Sequence, residues 1–187
     1  MMVLENACEY KDYLVDVFNE IGFYGYGSFE VVDNNINLNI IPIKGNDDLP
    51  TKEQVLEKLQ EITLKKKKQE LKNQINAICK EKIVKDFRSS VLGNLHAYDL
   101  KLEDQFNLLA LVIAGIDSVF RCAEVNNGVV GHKTYKNHTK AQILKLSQEA
   151  LKFKQSVIIF YSREKERLNA INRLEELEKF QIKEYLT

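Results

Sequence analysis

Apolar residues recur along this chain with two periods, and each period predicts its own elements. Over 9–21, Tyr10, Leu14, Val17 and Phe18 stand three and four apart with charged residues opposite, which predicts an amphipathic helix. Gly22, Gly25 and Gly27 follow, interleaved with Phe23, Tyr24 and Tyr26. This GFYGYG segment lacks the Lys-Ser/Thr of a phosphate-binding loop and follows no apolar strand, so it reads as a turn. The period then changes to two: Ile36, Leu38 and Ile40 alternate with Asn37 and Asn39. With 28–32 before it and Asp33, Asn34 and Asn35 between, this predicts a β-hairpin closed by residues that tolerate positive φ.

Residues 44–50 (KGNDDLP) read as a linker. Thr51 with Gln54 forms a capping-box pattern, and no proline or glycine interrupts the chain until about residue 86. The expected helix is about 50 Å long at ~1.5 Å per residue. Its stripe of Val55, Leu59, Ile62, Leu71, Ile75 and Ile78 is broken by Lys65, Lys66, Lys67 and Lys68. That run reads as a solvated stretch where the helix leaves one packing partner before meeting another.

Residues 87–100 are expected to be mostly extended, with a turn at Gly93 and Asn94. Glu103 and Asp104 then fall in the first turn of a helix, where carboxylates favour the positive end of its dipole. Nearly every residue of 106–116 is apolar, which predicts a buried core helix. Asn126, Asn127 and Gly128 separate 119–125 from 129–135 as a second hairpin signal. Thr139 and Gln142 repeat the capping box. The helix they begin carries Ile143, Leu144, Leu146, Leu151 and Phe153, and is expected to run on through Leu177 with a bend near 154–156. Its mixed spacing admits a short coiled coil. The expected fold is mainly α with small β-hairpins (α+β). An amino-terminal helix and hairpin (1–49) are linked by a long helix (50–86) to a helical carboxy-terminal domain (87–187).

Composition adds mainly exclusions. The 187 residues carry 27 Lys plus Arg against 27 Asp plus Glu, so no net field draws nucleic acid or an anionic membrane. The lysine run has no interleaved aromatics of the kind that stack on bases. The start of the chain does not read as a signal peptide, and its longest apolar run is about half of the ~20 residues needed to span a bilayer. Cys8, Cys79 and Cys122 lack CxxC spacing, which argues against a disulfide scaffold or zinc site.

No hydrolase, P-loop or metalloprotease motif is present. His96, Cys122, His132 and His138 could converge on a metal or serve an enzyme, but their places beside turns and a cap favour local hydrogen bonding. Asp99 with Glu103 and Asp104 could form an acid pair, though helix-start electrostatics accounts for them more cheaply. No catalytic, cofactor-binding or metal-binding residue is therefore expected. Partner binding is assigned to Phe23, Tyr24, Tyr26, Phe29, Ile36, Leu38 and Ile40, with an open hairpin edge as the mode.

Four short segments, taken in order, carry a resemblance: LGNLHAYD (92–99), EDQFNL (103–108), FRC (120–122) and HTKAQI (138–143). Lys165 and Ile171 follow at matching positions. Over about 85–171 the chain resembles a phage and prophage domain family found in tail-fibre and tail-associated proteins, whose biochemical function is unknown. The resemblance implies a non-enzymatic structural component or tail-fibre assembly chaperone without a cofactor. Its partner would be a tail-fibre or baseplate protein, or further copies of itself, in the host cytoplasm during assembly or in the virion tail. An alternative is a prophage-encoded inhibitor or regulator that binds a host protein through GFYGYG and Tyr13. The matching residues His96, Tyr98, Asp99, Asp104, Gln105, Asn107, Cys122, His138, Thr139 and Gln142 read as scaffold. Gln105 and Asn107 would satisfy backbone groups of the preceding segment, Thr139 would cap, and His138 would reach His96 or Tyr98.

Overall fold

A computed structural model describes residues 2–43 and 49–186, so most of the expected linker, 44–48, lies outside the described residues. The chain forms two compact units. One comprises Met1–Lys72 with Leu168–Gln181, the other Asn73–Arg167 with Ile182–Thr187.

The first unit is built on a three-stranded antiparallel sheet. Strand β1 (Met2–Leu4) leads through a 3-10 helix (Cys8–Tyr13) into α1 (Leu14–Glu20), then β2 (Gly25–Val32) and β3 (Asn35–Pro42). The order β1-β3-β2 puts β3 in the middle, with Ile36 opposite both Leu4 and Val31. Asp33, at φ 55°, supplies the left-handed residue of the tight β2–β3 turn. Alternation sends Ile36 and Leu38 inward, where they pack with Leu4, Leu14, Val17 and, from α2 (Lys52–Ile83), Val55, Leu59 and Ile62. Helix α2 starts in the expected capping box. The Thr51 N–H donates to Gln54 Oε1 at 2.9 Å, and the Gln54 N–H donates back to Thr51 Oγ1 at 3.2 Å.

The lysine run is not the solvated gap that its composition suggests. Lys66 pairs with Asp16 and lies 4.4 Å over the Tyr13 ring. Lys67 stands 3.7 Å from Glu9 and 3.9 Å from Glu178, and Lys68 donates to the Asn169 carbonyl at 3.1 Å. Long alkyl stems let a cation reach carboxylates and rings on neighbouring elements while its head stays partly wet. The run thus ties α2 to the 3-10 helix, to α1 and to the 168–181 segment with its short helix α5 (Leu174–Glu178).

The second unit holds β4 (Phe87–Leu92), β5 (Asn94–Tyr98), α3 (Leu102–Ala114), β6 (Ser118–Asn126), β7 (Val129–Val130), β8 (Thr134–His138) and most of α4 (Lys140–Ala170). Hairpins join β4 to β5 and β6 to β7. The pairing of β5 with β6 spans α3, with His96 opposite Glu124 and Tyr98 opposite Cys122. Strand β6 pairs with β7 at its end and with β8 along its first half. One face of this sheet carries Phe87, Val91, Tyr98, Phe120 and Cys122, which pack with Leu108 of α3 and with Ile143, Leu146 and Ala150 of α4.

The fold is therefore α+β with two antiparallel sheets, one of them curled into a half-barrel. It is not the mainly α fold with a helical carboxy-terminal domain that the long apolar periodicities suggest. Several local corrections accompany this one. Strand β1 went unforeseen, Gly25 and Gly27 lie inside β2 rather than in a turn, and the helix at 9–21 begins as 3-10. Helix α4 passes through 154–156 unbroken and ends at Ala170, so the expected helix to Leu177 is two helices.

Candidate binding surfaces

The motif residues read as scaffold in the sequence meet mostly inside the second unit. His138 is buried. Its Nε2 accepts from the Tyr98 hydroxyl at 3.0 Å and its Nδ1–H donates to the Lys136 carbonyl at 2.8 Å. Burial holds the His138 imidazolium below its ordinary range, against the pull of the Lys136 carbonyl, so the ring is neutral and accepts the phenol proton. Burial likewise pushes up the Tyr98 phenol and the Cys122 thiol. His96 Nδ1–H donates to the Asn94 carbonyl at 2.8 Å, and Asp99 pairs with Lys133.

Gln105 bridges two elements, donating to the Leu100 carbonyl at 2.7 Å and accepting from Lys154. Thr139 and Gln142 form the second capping box at 2.8 and 3.3 Å, and Gln142 also donates to the Val91 carbonyl at 3.2 Å. Asp104 lies half-buried in the first turn of α3 and Asn107 is exposed on that helix. Tyr98, Cys122 and His138 lie closed off from solvent and occupied with one another or with backbone. Among the described residues, no group of three or more His, Cys, Asp or Glu is placed to hold a metal ion.

The least expected feature is α3 itself. A helix apolar all round is normally interior, yet only Leu108 is buried here, with Leu111 and Val112 partly covered. Phe106 is 62% exposed and Ile113 77%. With Leu102, Leu109 and, just past the helix, Ile116, they form a stripe spaced four, three, four and three, the phasing of a seam between helices. No charge interrupts 106–116. Gly115, at φ 63°, ends the helix by donating to the Leu111 carbonyl at 3.0 Å, a left-handed cap that a side chain would strain. Beside the stripe a groove of about 350 Å³ runs between α3 and α4, bordered by Phe106 and Leu109 on one side and by Ala150, Leu151 and Lys154 on the other. The apolar run read as core in the sequence is thus largely an open surface. The signal that could have shown this was the seam itself, with Leu102, Phe106, Leu109, Ile113 and Ile116 spaced four and three apart beside the core-facing Leu108 and Leu111.

The hairpin residues assigned to partner binding divide. Ile36 and Leu38 belong to the core of the first unit, and Phe23 is buried beside them, so none of the three forms a free surface. Ile40 is partly covered. Tyr24 and Tyr26, each 73% exposed, and Phe29, 48% exposed, remain available. Alternation explains the split, because the face that reads as the hairpin's sticky side is the one the unit buries. Every residue of β2 is exposed, and its outer edge pairs with no strand among the described residues. No described helix is long and apolar enough to cross a membrane. No protein-family model, curated protein or solved structure matches this chain.

Proposed function

We propose that the protein is a non-enzymatic, phage- or prophage-encoded tail-associated component, a structural part or tail-fibre assembly chaperone that acts by binding another protein. The observation that carries the reading is the uncharged, heptad-phased stripe of α3 beside its groove, on the unit where the resemblance to tail-associated proteins lies. Contiguous apolar surface on a folded chain marks an interaction site more often than an accident. The occupant that fits is an amphipathic helix of a tail-fibre or baseplate protein, anchored by residues three and four apart. Lys154 at the groove wall favours an acidic residue on that helix. On this reading the protein works in the host cytoplasm during assembly or in the tail itself.

The test is co-purification of the tagged full chain from cells producing the phage. The expected result is a tail-fibre or baseplate protein in stoichiometric amount. Recovery of a host enzyme in its place would overturn the proposal in favour of a regulator. Removing residues 1–49 cannot serve as this test, because it would strip the cover from Val55, Leu59 and Ile62.

A further inference from the structure

Among the described residues, three of the four sheet edges without a partner strand carry devices that discourage pairing. Strand β1 has only three residues, β4 changes register between Ser89 and Leu92, and the β7–β8 edge is interrupted at 131–133 and carries Lys136. Short strands, bulges and lysines are the usual ways of blunting an edge. Strand β2 has none of them. It runs eight residues without proline, bulge or lysine, and Glu30 is its one charge.

The hydrogen-bond phase of that edge is set by the hairpin. The Tyr24 carbonyl accepts from the Ile43 N–H at 3.2 Å, so alternation turns the backbone groups of Tyr26, Ser28 and Glu30 toward β3. The N–H and C=O groups of Gly25, Gly27, Phe29 and Val31 then point outward. On the inner face of the sheet beside Gly25 and Gly27 lies an apolar groove of about 240 Å³, walled by Val15, Phe18, Phe23 and Phe29. That exceeds the ~150 Å³ that suffices for a benzene ring in an apolar cavity.

We propose that the open edge of β2 pairs antiparallel with the same edge of a second copy of the chain, about a two-fold axis at Ser28. In this register Phe29 stands opposite the partner's Gly27 and Val31 opposite the partner's Gly25. Each copy thus sets Phe29 over the other's Gly27, where the missing side chain leaves open space, while Val31 meets the Phe23 ring that already covers the other's Gly25, and each Phe29 ring enters the other's groove. An aromatic ring laid across a facing glycine is a known stabilising pair in sheets. All four outward-facing residues of each copy find a partner. Glu30 meets the partner's Tyr26, whose phenol can donate to the carboxylate. A register centred on Glu30 would instead oppose two carboxylates, and one centred on Phe29 would leave Gly25 unpaired and set the two rings against each other. The match is to a second copy because one strand supplies both halves of it, as an isologous two-fold interface requires. The proposal does not rest on the α3 surface.

The test is made in the full chain with Cys8 and Cys79 replaced by serine. Ser28 falls in a non-hydrogen-bonded pair on the axis, where Cα atoms approach to about 4.5 Å, within disulfide reach. Two Glu30 positions would lie four residues apart along the seam, roughly 13 Å at ~3.3 Å per residue. The proposal expects a dimer in sedimentation, rapid oxidative cross-linking of Ser28→Cys and none of Glu30→Cys. Phe29→Lys should weaken self-association by roughly tenfold or more. A chain that stays monomeric at every concentration would overturn it. So would equal cross-linking at the two positions, or a dimer that Phe106→Glu abolishes while Phe29→Lys leaves it intact.

Discussion

In the first unit the helices close over one face of the sheet, yet β2 runs Gly25–Val32 along an unguarded edge. In the second unit the edges are bulged, interrupted or charged, yet α3 keeps Phe106, Leu109 and Ile113 turned outward. Each unit thus leaves an apolar surface open, and these two are of different kinds. A strand edge binds through backbone groups, so its selectivity comes from register and self-match. A helix stripe binds through side chains, so its selectivity lies in the shape and charge of one particular partner. The difference suggests two separate tasks, association of like chains by one unit and capture of a different protein by the other.

Predictions that probe this contrast should separate buried groups from open ones. Tyr98→Ala removes the ring at the centre of the second core and should cost about 3–5 kcal/mol in denaturant unfolding. Tyr98→Phe, which leaves His138 Nε2 unpaired and takes the hydroxyl from the Cys122 thiol, should cost about 1–3 kcal/mol. On α3 the two faces should part company. Leu108→Ala is expected to cost about 2–5 kcal/mol, whereas Phe106→Ala should stay within ~0.5 kcal/mol in the isolated chain. If Phe106→Ala were as damaging as Leu108→Ala, the stripe would be structural and the contrast would fail.

Acid should act on the second unit in two steps. His138 is held neutral below its ordinary value of 6.5, so the unfolded chain takes up its proton first, and stability should begin to fall as pH drops through 6.5. Glu164 behaves differently. Burial alone would raise its carboxyl, but the Lys183 N–H at 3.0 Å and the Arg167 guanidinium outweigh burial and hold it low. Its stabilising contribution is present above its ordinary value of 4.5 and is lost as pH falls through the depressed folded value. His138→Gln should flatten the upper limb of a stability–pH curve and Glu164→Gln the lower.

The smallest expected effects are local. Thr139→Ala should cost about 1 kcal/mol by removing a cap. Thr63→Val should stabilise by about 1 kcal/mol or more, since the Thr63 hydroxyl is buried without a partner.

Short-range chemistry was legible in the sequence and long-range assembly was not. Both capping boxes, the Asp33 turn and the alternation of Ile36, Leu38 and Ile40 follow from residues within a few positions of one another. The pairing of Tyr98 with Cys122 spans the whole of α3, and no local period encodes it, so the joining of the extended 87–100 segment and the second hairpin into one sheet went unread and a helical body was expected in its place. Lys66 and Lys67 looked solvated because their partners Asp16, Glu9 and Glu178 are distant in sequence. The apolar composition of α3 shows that something must cover it, but not whether that cover is this chain or another. Of the hairpin residues assigned to binding, Ile36 and Leu38 failed because a hydrophobic alternation marks a covered face before it marks a sticky one.

The claim on which this account turns is that the α3 stripe is a surface for another protein and not a poorly packed core. A Phe106→Glu, Ile113→Glu double variant tests it most directly, with thermal unfolding and co-purification of tail proteins read on the same preparation. The account predicts an unfolding curve like that of the parent chain together with loss of the captured protein. Undiminished capture by a folded double variant would contradict it.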